Sequence, residues 1–144
     1  MVKSLLKLFT INEMQEDELY TVELATAALL SEIIRADASV TESEIEEYKA
    51  QLFTQFNLQD DALTILMENG RNKAEEAVDL VQFTKVINQK CDDEQKWKIL
   101  KGLWSIAYAD NNIAPIEEHI IRRIADLLYL PHHLFIKAKL EATN

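Results

Sequence analysis

The sequence predicts an all-α protein, a single-domain helical bundle of about seven helices, and three observations carry that reading. The 144-residue chain holds only two Gly and two Pro, against about ten and about seven at average usage. Strands need turn residues at special backbone angles, so a mostly β architecture is close to excluded. Apolar residues recur at spacings of three and four, while alternation of period two is nearly absent. Finally, 48% hydrophobic residues can fill one core at this length. The same scarcity of glycine excludes glycine-rich phosphate loops.

Along the chain, the spacing predicts a short amphipathic segment at about 2–9. Helices follow at about 17–37, 41–56, 59–69, 73–90, 93–109, 115–129 and 131–142. This divides the chain into an N-terminal amphipathic segment, 1–16, and a helical domain, 17–144. Gly70 stands where a left-handed residue would close the third helix. Asn72 with Glu75, and Asp92 with Gln95, have the cap-plus-three spacing of helix starts. Pro115 and Pro131 suit first helical turns.

Two helices read as central. The run Leu24-Ala25-Thr26-Ala27-Ala28-Leu29-Leu30 is apolar around most of a helix. Trp97, Leu100, Trp104 and Tyr108 form a stripe broadened by Leu103, Ile106 and Ala107, which makes these aromatics core rather than pocket. Gly102, beside Trp104, suits close packing. One-sided stripes (Ile45, Tyr48, Leu52, Phe56 and Ile116, Ile120, Ile124, Leu127) mark two covering helices.

Charge narrows the partners. Fifteen Lys+Arg against 25 Asp+Glu give −10, which argues against nucleic acid. Residues 1–72 carry −9 of this and residues 73–144 carry −1. Lys96, Lys98, Lys101, Arg122, Arg123, Lys137 and Lys139 are interleaved with acids, as on an ordinary solvated surface. The single cysteine, Cys91, cannot form an internal disulfide, and neighbouring Asp92, Asp93 and Glu94 favour an inert thiol. The apolar stretch at the N-terminus is too short for an export signal, and no apolar run is long enough to span a membrane. A cytoplasmic location is expected. Val2, Leu5, Leu6 and Phe9 favour self-packing or a dimer contact over a membrane surface.

One motif repeats. Ala36-Asp37-Ala38-Ser39-Val40-Thr41-Glu42-Ser43-Glu44 and Ala109-Asp110-Asn111-Asn112-Ile113-Ala114-Pro115-Ile116-Glu117 both read A-D-x-x-[VI]-x-x-x-E, at a constant offset of 73. Each copy falls where a central helix ends and a covering helix begins, so the chain reads as two helix-turn-helix units related by an internal repeat.

These residues resemble the TerB-like, tellurite-resistance-associated family of bacterial helical proteins, whose members carry paired A-D-G-x-[IV]-x-x-x-E segments. Leu103-Trp104-Ser105-Ile106-Ala107-Tyr108-Ala109-Asp110, Glu117-Glu118 and Arg122-Arg123-Ile124-Ala125-Asp126-Leu127-Leu128 extend the likeness over about 20–140. Ala38 and Asn111 replace the usual glycines; Asn tolerates positive φ and Ala does not. The resemblance implies a role in tellurite resistance or wider stress responses, and metal binding at the acidic loop positions. It implies no reaction.

From the residues themselves, Thr41 and Glu44 form a capping box, with Val40 and Ile45 placed as a hydrophobic staple. In the second copy Ala114 has no side-chain acceptor, yet Glu117 keeps its place. Asp37 and Asp110 sit at helix C-termini, where a carboxylate costs about 0.3–1 kcal/mol, offset by an Asx turn or by a cation. Asp37, Glu44, Asp110 and Glu117 would make an all-oxygen site suited to Ca²⁺, Mg²⁺ or Mn²⁺ rather than Zn²⁺. From the residues alone a purely structural loop, which needs no ion, is the favoured reading, and metal contact is the alternative. His119, His132 and His133 have no ligand spacing and read as surface residues.

No catalytic constellation is evident. The expected function is a non-enzymatic stress-response or interaction domain with protein partners or self-association. A metal-dependent hydrolase using the same carboxylates and a plain helical scaffold are the alternatives.

Overall fold

A computed structural model describes residues 20–37 and 39–144. The expected segment 1–16, residues 17–19 of the expected first helix and Ala38 lie outside the described residues, and the helix itself starts at Val22 rather than at about 17. Among the described residues seven helices follow one another: α1 Val22–Ala36, α2 Glu42–Phe56, α3 Asp60–Glu76, α4 Val81–Lys90, α5 Asp93–Ala107, α6 Pro115–Leu127 and α7 His132–Thr143. No strand occurs among the described residues.

Helix α1 is the axle of the bundle. Thr21 caps it, its hydroxyl accepting the Leu24 N–H at 3.1 Å. Every residue from Ala25 to Ser31 is buried, as a run apolar on all sides requires. It packs against α2, α3, α4, α5 and α6. Helix α5 is the second central element, packing on α1, α2, α6 and α7. Asp92 and Gln95 form the capping box at its start, with mutual bonds of 2.8 and 2.9 Å. On its inner face Leu100, Leu103, Trp104 and Ile106 are completely buried.

The third and fourth helices depart from expectation. α3 does not close at Gly70 but runs through it to Glu76, so Asn72 and Glu75 are interior rather than a helix start. Gly70 is buried within α3. A Cβ there would lie 2.5 Å from that of Ala27 and 2.6 Å from the Tyr48 hydroxyl. Its scarcity of atoms serves interhelical contact, not a left-handed cap. The chain turns at 77–80 instead, where the Asp79 carboxylate accepts the Val81 N–H at 2.9 Å. Arg35 reaches across from α1 to donate to the Ala74 carbonyl at 2.8 Å, satisfying the end of α3.

Helix α6 is rotated relative to the expected stripe. Ile116 is 47% exposed, and Glu117, Ile121, Ile124 and Ala125 form the buried face. Lys96 also departs from its expected surface position. It is buried, and its Nζ donates to the Leu128 carbonyl at 3.2 Å. Asn88 donates to the Leu127 carbonyl at 2.9 Å. A cation and an amide thus cover the negative end of α6. Pro115 opens α6 at its first turn, and Pro131 stands at the N-cap of α7.

Candidate functional site

The repeated motif builds two equivalent loops, one joining α1 to α2 and the other α5 to α6. In the first, Asp37 ends α1 with extended backbone (φ −100°, ψ 137°). Its Oδ1 accepts the Ser39 N–H at 3.3 Å. In the second, Asp110 Oδ1 accepts the Asn112 N–H at 3.1 Å. Both aspartates therefore make an Asx turn two residues ahead, one of the two ways of offsetting their unfavourable place at a helix end.

The glutamates match as well. Glu44 Oε1 accepts the Thr41 N–H at 2.9 Å, and Glu117 Oε1 accepts the Ala114 N–H at 2.8 Å. Thr41 returns the bond, its hydroxyl accepting the Glu44 N–H at 3.2 Å. Ala114 has no side-chain acceptor, so the second loop keeps only the glutamate half of the box. Val40 is 52% exposed, so the expected staple with Ile45 buries little.

Asn111 stands where the family pattern has glycine, and its φ is 64°. Asn is the residue after Gly that best tolerates this left-handed geometry. Its N–H donates to the Tyr108 carbonyl at 2.8 Å. Asn111→Ala is expected to cost about 1 kcal/mol, measured by urea unfolding, whereas Asn111→Gly should be near neutral.

Burial separates the four acids into two classes. Glu44 and Glu117 are each 4% exposed. They sit on the core-facing stripes of their helices, four residues before buried Tyr48 and Ile121. That spacing was readable in the sequence as the signal of a buried glutamate. The Glu117 carboxyl is pushed above the ordinary carboxylate range, chiefly by burial. Its bond from Ala114 opposes this, while the negative charges of Glu44, Asp110 and Asp37 add to it. The fold therefore places both loops in one electrostatic field. None of the four acids is among the ion pairs of the described residues. Nor do three His, Cys, Asp or Glu side chains converge as a ready chelate among those residues.

The remaining candidates are placed elsewhere. His119, His132 and His133 are exposed, and His132 stacks on Phe135 with centroids 5.7 Å apart. Cys91 is half-buried, and burial, followed by the Asp92 charge, pushes its thiol up. That favours an unreactive thiol. No described helix is long and apolar enough to cross a membrane.

A raised carboxyl pKa makes folding favour the protonated form. The resulting penalty on the folded state is absent well below the unfolded pKa and grows as pH rises through the folded value. Glu117→Gln keeps an oxygen for the Ala114 N–H and removes the charge. It is therefore expected to raise the melting temperature relative to the parent at pH 7, with the gain shrinking towards pH 4. Thermal melts of both proteins across that range check this.

The family model described as Tellurite resistance protein TerB matches residues 23–140. The chain belongs to the TerB family. No curated protein and no solved structure matches it.

Proposed function

We propose that this TerB-family protein is a non-enzymatic stress-response domain that binds a divalent cation weakly through Asp37, Glu44, Asp110 and Glu117, and so presents a charge-dependent surface to a protein partner. One observation carries this reading. Glu44 and Glu117 are both buried, the Glu117 carboxyl lies in the field of Glu44, Asp110 and Asp37, and no cationic side chain is paired with any of the four among the described residues. A buried charge without a partner is unfavourable and calls for a proton or a cation.

The donor chemistry fits an oxygen-loving ion. Each carboxylate commits one oxygen to a loop N–H, leaving its second oxygen for coordination. An all-oxygen set suits Ca²⁺, Mg²⁺ or Mn²⁺. A bound divalent ion would supply the positive charge that relieves repulsion among the four acids. Without a ready three-ligand chelate, water or backbone carbonyls would complete the shell, and affinity in the range of about 10⁻⁴–10⁻³ M is appropriate.

Thermal melting with and without each ion tests the proposal. At ten times the dissociation constant, stabilisation of about 1.4 kcal/mol should raise the melting temperature by about 4 °C. Glu44→Gln combined with Glu117→Gln should abolish that rise. Unchanged melting of the parent at 10-millimolar-order concentrations of all three ions sinks the cation reading and leaves a plain interaction scaffold.

A further inference from the structure

A second feature lies away from the acidic loops. A cleft of about 460 Å³ opens between the start of α1, the C-terminal half of α2 and the N-terminal half of α5. Its size is that of a small-molecule site. Trp97, half-buried rather than in the core as its stripe predicts, joins Phe56 and Ile99 as apolar wall and floor, and Gln51 and Gln55 provide amides. Lys98 and Lys101 also line it.

Three observations give this cleft a chemical preference. First, no carboxylate among the described residues lines it, although the chain carries 25 acids and a net charge of −10. Second, the lining carries two cationic side chains, Lys98 and Lys101. Lys101 makes no ion pair among the described residues and lies over the Trp97 ring, 5.7 Å from its centroid, a ring that Lys137 also approaches at 5.1 Å. Lys98 is held only loosely, 3.8 Å from exposed Glu94. Third, Gly102 gives the glutamine wall its space. A Cβ at Gly102 would come within 2.9 Å of Gln51 Oε1 and 3.0 Å of Gln55 Nε2. The two amides are joined by a 3.2 Å bond from Gln55 to Gln51, and Gln51 donates in turn to Glu47 at 2.8 Å.

We infer that this cleft binds a small organic anion with a flat apolar body, its anionic head at Lys101 and Lys98 and its body against Trp97 and Phe56. Stacking on Trp97 and charge-assisted hydrogen bonding to lysine are each favourable and jointly orient such a ligand. The inference is independent of the cation proposed for the acidic loops, since none of the four acids lines the cleft.

The test uses the full chain and two fluorescent probes that share an aromatic body: 8-anilinonaphthalene-1-sulfonate, an anion, and N-phenyl-1-naphthylamine, which is neutral. The sulfonate is expected to bind one per chain, to shift backbone amide resonances of residues 51–56 and 95–101, and to weaken as salt is raised. The neutral probe should bind at least about fivefold more weakly. Lys101→Gln should weaken the sulfonate by about fivefold without altering the melting temperature, and Lys101→Arg should restore it. Equal binding of the two probes, resonance shifts centred elsewhere, or full binding by a folded protein carrying both Lys98→Gln and Lys101→Gln would overturn the inference.

Discussion

Gly70→Ala is expected to destabilise the protein by about 2 kcal/mol, although alanine is the better helix former by about 1 kcal/mol. The new methyl would meet the Ala27 Cβ at 2.5 Å, the Tyr48 hydroxyl at 2.6 Å and the Ala27 backbone carbonyl carbon at 2.9 Å. None of these is the free end of a flexible chain. Ala27 is completely buried on the central helix, and Tyr48 is completely buried with its hydroxyl donating to the Met67 carbonyl at 2.9 Å. Relief requires α1 and α3 to separate, or the tyrosine bond to break inside the core. Either response disturbs the broadest helix pair of the bundle.

A double-mutant cycle separates the causes. Ala27→Gly removes the nearest atom, so Gly70→Ala should cost markedly less in that background, with a coupling of about 1 kcal/mol. Urea unfolding of the four proteins provides the measurement. Additive effects would show that the cost of Gly70→Ala does not arise at Ala27.

The helices that were legible in the sequence are those whose local signals agree with their packing. α1 declares itself by an unbroken apolar run, and α5 by a stripe beginning with its Asp92–Gln95 box. The boundary between α3 and α4 falls beyond the one that local signals predict, because Gly70 carries two opposite meanings. Local propensity reads it as a stop, while tertiary contact uses its missing Cβ to bring α3 against Ala27. Only the partner helix decides between them, and a single sequence does not contain that proximity. Lys96 was hidden for a related reason. Its role depends on Leu128, 32 residues away, and a lysine on an amphipathic helix otherwise reads as solvated.

The acidic site was legible in its residue set and repeat but not in its electrostatics. Periodicity placed Glu44 and Glu117 at equivalent loop-to-helix positions. Their burial follows from lying on the same faces as Tyr48 and Ile121, a register in which a capping role and a core-facing position coincide. The influence of Glu44 and Asp37 on Glu117 arises only when two loops 73 residues apart are placed in one field. Of the two loop positions that depart from the family's glycine, Asn111 adopts the left-handed backbone. Ala38 lies outside the described residues.

Trp104→Ala should be the most damaging single truncation, costing about 4 kcal/mol. That is a large part of the about 5–15 kcal/mol available to a domain of this kind. Trp104 is completely buried on α5, and its ring meets Phe135 of α7 edge to face with centroids 5.1 Å apart. Lys139 lies over the same ring at 5.2 Å. Few other large side chains fasten α7, whose buried residues are Phe135 and Ala138. Amide exchange is therefore expected to accelerate first in α7, before the rest of the bundle opens. Trp104→Phe offers an internal contrast. The indole N–H has no partner among the described residues, and an unpaired buried donor carries a penalty of about 1–3 kcal/mol. Phenylalanine removes that donor while keeping an aromatic face for Phe135, so its cost should fall well below that of alanine. Equal losses for the two variants would show that phenylalanine recovers none of the indole's packing, and that an aromatic face against Phe135 does not by itself hold α7 in place.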